Sequence, residues 1–90
     1  MQDNVLLIHP RDNVFVALRD LKKGESVILN GMENFLVLED IPASHKIARQ
    51  DIPAGEEIVK YGEVVAVSKK EIKKGEWVHT HNLESQRWKK

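Results

Sequence analysis

The sequence predicts a mostly β domain of short strands and many turns, built by duplication of a half-domain, and three observations carry that expectation. A phrase of the form [DE]-[IL]-x-x-G-E-x-[VI] recurs at residues 20–27 (DLKKGESV), 51–58 (DIPAGEEI) and 71–78 (EIKKGEWV), with an altered copy at 40–47 (DIPASHKI). Shifting residues 17–47 by 31 positions lays them on 48–78 without a gap, matching Ala17 with Ala48, Asp20 with Asp51, Gly24 with Gly55, Gly31 with Gly62 and Ile41 with Ile72. A single duplication points to two half-units clasped about a pseudo-two-fold rather than to a stacked array, which needs three or more repeats. Finally, no segment sustains a 3.6-residue apolar period, whereas short β-branched runs bounded by Gly, Pro, Asn and Asp are frequent.

Taken in order, residues 5–8 (VLLI) form an apolar run closed by His9-Pro10 and read as a buried strand, with His9 capping its end. Arg11-Asp12-Asn13 supplies turn chemistry, and residues 14–18 (VFVAL) are a second strand, rich in β-branched and aromatic residues. In the first phrase Gly24 follows two lysines and suits a turn with positive φ, after which residues 25–29 resume extended structure. Asn30-Gly31 is a strong hairpin signal, and residues 35–38 (FLVL) are another buried strand. Pro42 and Pro53 start turns, where φ is already set and a missing N–H does no harm. Residues 45–50 are compatible with a strand or one helical turn. Residues 57–61 and 63–67 make strands around Gly62, and residues 72–80 close the repeat. The domain is expected to span 1–83, leaving 84–90 as a C-terminal tail with helical propensity and few anchors, in which Trp88 could hold a contact.

Composition bounds the rest. Ninety residues make one small domain, with room for a site only if it is shallow or shared. The absence of cysteine excludes disulfides, thiolate metal sites and a cysteine nucleophile. Basic and acidic residues balance at 14 each, which argues against nucleic acid as a partner. The apolar run near the start is too short for a signal peptide or a membrane span, so a soluble, cytoplasmic protein without a membrane partner is the expectation. Exposed edge strands in a small β domain invite pairing, so a homo-oligomer is possible on sequence grounds.

The repeated phrases, the duplication and the near all-β reading resemble the SAF domain, whose β-clip fold is also seen in type III antifreeze proteins and in the C-terminal part of sialic acid synthases. Within that superfamily, LLIHPRDNVFVALRDLKKGE, EDIPASHKIARQDIPAGEEIVKYGE and KKGEWVHTHN are similar to the N-terminal SAF domain of the altronate/galactarate dehydratase family, over residues 5–83. The more specific parts of the likeness are His45-Lys46, Lys60-Tyr61-Gly62 and residues 75–82 (GEWVHTHN). The resemblance implies dehydration of a sugar acid: a proton leaves the carbon beside a carboxylate, the neighbouring hydroxyl departs, and the enol becomes a 2-keto-3-deoxy acid. It also implies Fe(II) or Mn(II), held mainly by a large catalytic subunit or domain that this short chain lacks. The chain is then a small subunit, or the amino-terminal domain of a longer enzyme. The different-class alternative is a stand-alone SAF module that binds carbohydrate or protein without catalysis.

Candidate site residues follow from the repeat and the resemblance together. The first, third and fourth phrases carry glycine then glutamate, and the second carries Ser44-His45 followed by Lys46. A rule kept three times and broken once marks His45 as a candidate base, metal ligand or donor to a carboxylate, with Lys46 supplying charge to the anion. Both are otherwise ordinary loop residues. His79 and His81, two apart on an expected strand, would leave one face and could share a metal, though two imidazoles make an incomplete site. The plainer expectation for the pair is an interface role or packing beside Trp77. Lys60 and Tyr61 replace Leu29 and Asn30 of the first half, adding an anion partner and a hydroxyl. With Arg11, a candidate two-point carboxylate ligand, and Asn82 they complete the expected substrate-binding set, against the alternative of solvated turns.

Overall fold

The protein is described by a computed structural model over residues 2–85. It is a mostly β, β-clip domain whose strands are β1 (Val5–Leu6), β2 (Val14–Ala17), β3 (Ser26–Leu29), β4 (Met32–Leu36), β5 (Lys46–Ala48), β6 (Glu57–Lys60), β7 (Glu63–Ser68), β8 (Trp77–Val78) and β9 (Leu83–Ser85). A 3-10 turn, Thr80–Asn82, precedes the last strand. An antiparallel sheet in the order β1-β2-β5-β8 forms the centre, flanked by the β3-β4 hairpin and by a sheet in the order β6-β7-β9.

The central sheet has a core on each face. Val14 pairs with Ala48, and Lys46 lies opposite both Val16 and Val78, so these side chains share one face; Phe15, Ile47 and Trp77, likewise in register, share the other. Phe15 and Ile47 join Ala17, Leu21, Val27 and Ile41 in one buried cluster. Val14 and Ala48 join Ile52, Ile58, Ile72 and Val78 in the second. Shifted by 31 residues, Ala17, Leu21, Val27, Ile41 and Ile47 become Ala48, Ile52, Ile58, Ile72 and Val78, so the duplication yields two equivalent cores.

The phrases are pairing devices. Leu21 bridges Ile41, and Ile52 bridges Ile72, joining the four phrases two by two. Their acidic residues accept backbone N–H groups of the paired phrase: Asp20 from Ala43, Asp40 from Lys23 and Asp51 from Lys74. Gly24, Gly55 and Gly75 take positive φ at the turns, and Ser44 does so at 70° in the altered copy.

A second repeat clamps the hairpins. Asp3-Asn4-Val5 and Asp12-Asn13-Val14 are the same tripeptide. The Asn4 amide bonds Ser26 O and Ile28 N, while Asn13 bonds Glu57 O and Val59 N, the residues 31 positions further on. Asp3 accepts from Gly31 N, and Asp12 from Gly62 N at 2.8 Å. Thus each half owns one hairpin, and each hairpin is held by its own Asp-Asn-Val.

Several expectations are adjusted. The buried strand expected at 5–8 covers Val5–Leu6 only, and of the two Val5 is buried while Leu6 is exposed. The buried strand expected at 35–38 runs instead from Met32 to Leu36, directly after the Asn30-Gly31 turn, and is largely exposed, with Val37 just beyond it reaching the core. Residues 45–50 resolve to the strand Lys46–Ala48, fixed by ladder bonds on both sides. The closing segment carries β8 and then leaves extended structure for the 3-10 turn. Strand β9 brings Glu84 and Ser85 into the sheet beside β7, where the sequence reading began a tail at 84. Trp88 lies outside the described residues. No helix among the described residues is long and apolar enough to cross a membrane.

Candidate functional site

The altered phrase differs from the others in its turn bonding. In the first and fourth phrases, Glu25 and Glu76 accept the backbone N–H of Lys22 and Lys73, at 2.6 and 2.7 Å. The second phrase has Pro42 at that position, which offers no N–H for such a bond. The third phrase has Pro53 and keeps an exposed Glu56. Position 45 holds a half-buried imidazole that turns to β8.

Trp77 is the hub there. Its Nε1–H donates to His45 Nδ1 at 3.1 Å. Its ring stacks on His79 with centroids 5.1 Å apart and planes at 9°, and His81 lies against it at 5.2 Å, tilted by 47°. His45 and His79 are themselves 4.8 Å apart, centroid to centroid. Because indole N–H only donates, His45 Nδ1 is the acceptor in this arrangement and Nε2 carries the ring proton. Burial holds the His79 pKa below its ordinary 6.5, helped by His45, Lys46 and His81, so His79 is neutral at neutral pH.

The backbone beneath is rigid. Asn82 accepts His79 N–H at 2.9 Å and donates to Trp77 O at 2.8 Å, and its own N–H donates to His79 O. Asn82 is therefore a buried strut of the turn rather than an exposed substrate ligand. His79 is the extended residue that precedes the 3-10 turn and His81 lies within the turn, so the two do not share a strand face; both pack against Trp77. Among the described residues no three His, Asp or Glu side chains gather as a metal site, so iron or manganese does not fit this chain's described residues alone.

Strand alternation separates the two candidate catalytic residues. His45 meets Trp77, whereas Lys46 leaves the face shared with Val16 and Val78. Lys46 is half-buried, and burial lowers its pKa from 10.5, with the charge of Lys60 acting in the same direction. Lys60 ends β6, two residues beyond buried Ile58, and its Nζ sits 5.0 Å from the centroid of the Tyr61 ring.

Tyr61 and Arg11 occupy a further corner. Tyr61 takes φ of 58°, a conformation costly for a bulky side chain, while its counterpart Asn30 takes 56° with little strain. Asp12 holds it there by accepting from Tyr61 N and Gly62 N, with His9 N as a third donor. Burial opposes the charge on Asp12, but these three N–H groups outweigh it and keep its pKa below 3.8. The His9 ring packs over Gly62, where a Cβ would come within 3.0 Å, and its Nδ1 accepts from Arg11 N–H. The Arg11 residue is exposed beside this corner. Sequence reasoning missed the central place of Trp77 and the clamp role of Asp12. The repeated Asp-Asn-Val was the available signal for the clamp.

Two surface concavities, one between residues 20–22 and 40–42 and one at Gln2, Asp3, Leu18 and Arg19, both lie away from the imidazoles. The His45–Trp77 corner lies at β8, an edge strand of the central sheet. Against known proteins, the altronate/galactarate dehydratase SAF domain matches residues 3–86. The chain belongs to that family. It is 42% identical over 78 residues to altronate dehydratase of Bacillus subtilis (strain 168), covering 87% of this chain and 16% of that protein. It is 40% identical to galactarate dehydratase (L-threo-forming) of Escherichia coli (strain K12), covering 79% and 13%. It is also 39% identical over 49 residues to the (2R)-sulfolactate sulfo-lyase subunit alpha of Paracoccus pantotrophus, covering 54% and 73%. The SAF chain therefore spans less than a fifth of the two dehydratases it matches.

Proposed function

We propose that this chain is the accessory SAF part of a sugar-acid dehydratase and completes the active site of a large catalytic region. The carrying observation is the imidazole–indole corner: three histidines converge on one tryptophan at an edge strand, in a chain equivalent to a small fraction of its dehydratase relatives. A subunit alpha among the relatives supports a division into separate chains. Altronate and galactarate, named by those relatives, define the substrate class as a polyhydroxy acid.

In this reading His45, with Nδ1 engaged by Trp77, offers Nε2–H to a substrate oxygen, either the carboxylate or the departing hydroxyl. Neutral His79 beside it is the proton acceptor. The divalent metal implied by the family is assigned to the large region. The test is co-purification with a large dehydratase region, followed by turnover of altronate and galactarate to a 2-keto-3-deoxy acid, with Fe(II) or Mn(II) supplied. Activity that requires both chains supports the proposal. Carbohydrate binding by the chain without any association or turnover would instead favour a stand-alone binding module.

A further inference from the structure

Trp77 stands on β8, an edge of the central sheet with β5 on one side and, among the described residues, no strand on the other. The residues before it bond toward β5, Gly75 N–H donating to Ala48 O and Glu76 O accepting from Ala48 N–H, whereas the N–H and C=O of Trp77 itself point out of the sheet edge. Side chains from two separate elements replace the missing ladder. The Glu39 carboxylate accepts Trp77 N–H through Oε2 at 2.9 Å, and the Asn82 amide donates to Trp77 O at 2.8 Å. Asn82 is local, on the turn that follows, but Glu39 reaches across 38 residues from the segment that follows β4.

The same segment is fitted to the fourth phrase at two further points. Leu38 N–H donates to Gly75 O at 2.9 Å, and Gly75 passes so near Leu36 O that a Cβ there would lie 2.5 Å from it. The duplication does not call for a carboxylate at this place, since 31 positions on stands Lys70, exposed to solvent. Glu39 is half-buried, and a carboxylate on a backbone N–H makes a charge-assisted bond, roughly twice as strong as one between neutral groups. That bond falls on the residue whose indole N–H fixes His45.

We propose that Glu39 is a positioning residue of the imidazole corner: it pins the backbone of Trp77 so that the indole N–H meets His45 Nδ1. Its effect on an acid substrate is exerted through Trp77 and His45 alone, and that part rests on the function proposed above. Without the carboxylate the Trp77 N–H turns to water, the start of β8 is held only by its ladder to β5 and by the Asn82 amide, and the 3.1 Å indole–imidazole bond loosens.

The test compares Glu39→Ala, Glu39→Gln and Glu39→Asp in the intact chain. The Trp77 indole N–H resonance and the His45 ring tautomer are followed by 15N NMR, and kcat is measured with a large dehydratase region at saturation. Glu39→Ala is expected to move the indole resonance, to mix the His45 tautomers and to lower kcat about fivefold or more, the loss of one net hydrogen bond, while affinity for the large region is kept. Glu39→Gln keeps an acceptor oxygen and should return the resonances and kcat toward native values. Glu39→Asp, shorter by one methylene, should shift them in the direction of alanine and serves if the alanine variant fails to fold. A lower Tm with unchanged indole and imidazole resonances makes Glu39 a structural cap and overturns the proposal. So does a glutamine variant that behaves as alanine does, because the charge and not the bond is then at work. If the resonances respond but no dehydratase can be reconstituted, or kcat stays native, the functional reading of the corner fails and the positioning role stands. If His45→Ala abolishes turnover while Glu39→Ala leaves the resonances and kcat untouched, the positioning role fails and the functional reading stands.

Discussion

The indole N–H of Trp77 donates to His45 Nδ1 at 3.1 Å, and this single bond sets which imidazole nitrogen faces a ligand. Trp77→Phe keeps the ring but deletes the donor. The expected result is a mixture of His45 tautomers by 15N NMR, and a fall in reconstituted turnover of about fivefold or more, the equivalent of one net hydrogen bond of ~1 kcal/mol. An unchanged Nε2–H tautomer in the variant would show that Trp77 does not control it.

Tyr61 sits in the left-handed region where the first half has asparagine. Tyr61→Asn should relieve this strain and raise unfolding stability by about 1 kcal/mol, measured by urea denaturation. Loss of partner or acid affinity in the same variant would explain why a strained tyrosine stands there.

The Asp12 carboxylate ties the N-terminal loop to the β6-β7 hairpin through three backbone donors. Asp12→Ala should cost about 3 kcal/mol, since buried N–H groups are left unpaired. The pH dependence has a definite sign. The folded pKa lies below 3.8, so this contribution is present above that pH and disappears as pH falls through the folded value. Asp12→Asn should flatten the acid limb of the stability curve, measured as Tm between pH 5 and pH 2.

For His79, burial and cationic neighbours depress the pKa below 6.5. An NMR titration should therefore find its midpoint under that value. The associated stability is complete above 6.5 and lost as pH falls toward the folded pKa, because the unfolded chain then binds the proton more readily. Lys46→Met removes one of the neighbouring charges and should move the midpoint upward.

Much of this was legible in the chain. The 31-residue duplication named the paired cores, and glycines 24, 55 and 75 named the turns. The Asn30-Gly31 turn was equally plain. The break at Ser44-His45 points to the corner, whereas the bond from Trp77 that fixes the imidazole joins residues 32 positions apart and leaves no local signal. The relation of His79 to His81 was misjudged as strand geometry, because the Asn82 amide, bonded to His79 N and Trp77 O, bends the chain into a 3-10 turn. Strand β9 was unreadable because residues 83–85 (LES) carry little β-propensity and pair only through the edge of β7.

The most direct measurement is the dehydration rate of altronate and galactarate by a matching large catalytic region, alone, with this chain, and with its His45→Ala variant. The expected result is turnover that depends on the chain and falls by at least about a hundredfold with the variant, the scale of one acid–base or donor group. Full turnover by the large region alone, or equal rates with the native chain and the His45→Ala variant when both bind it, would contradict the account.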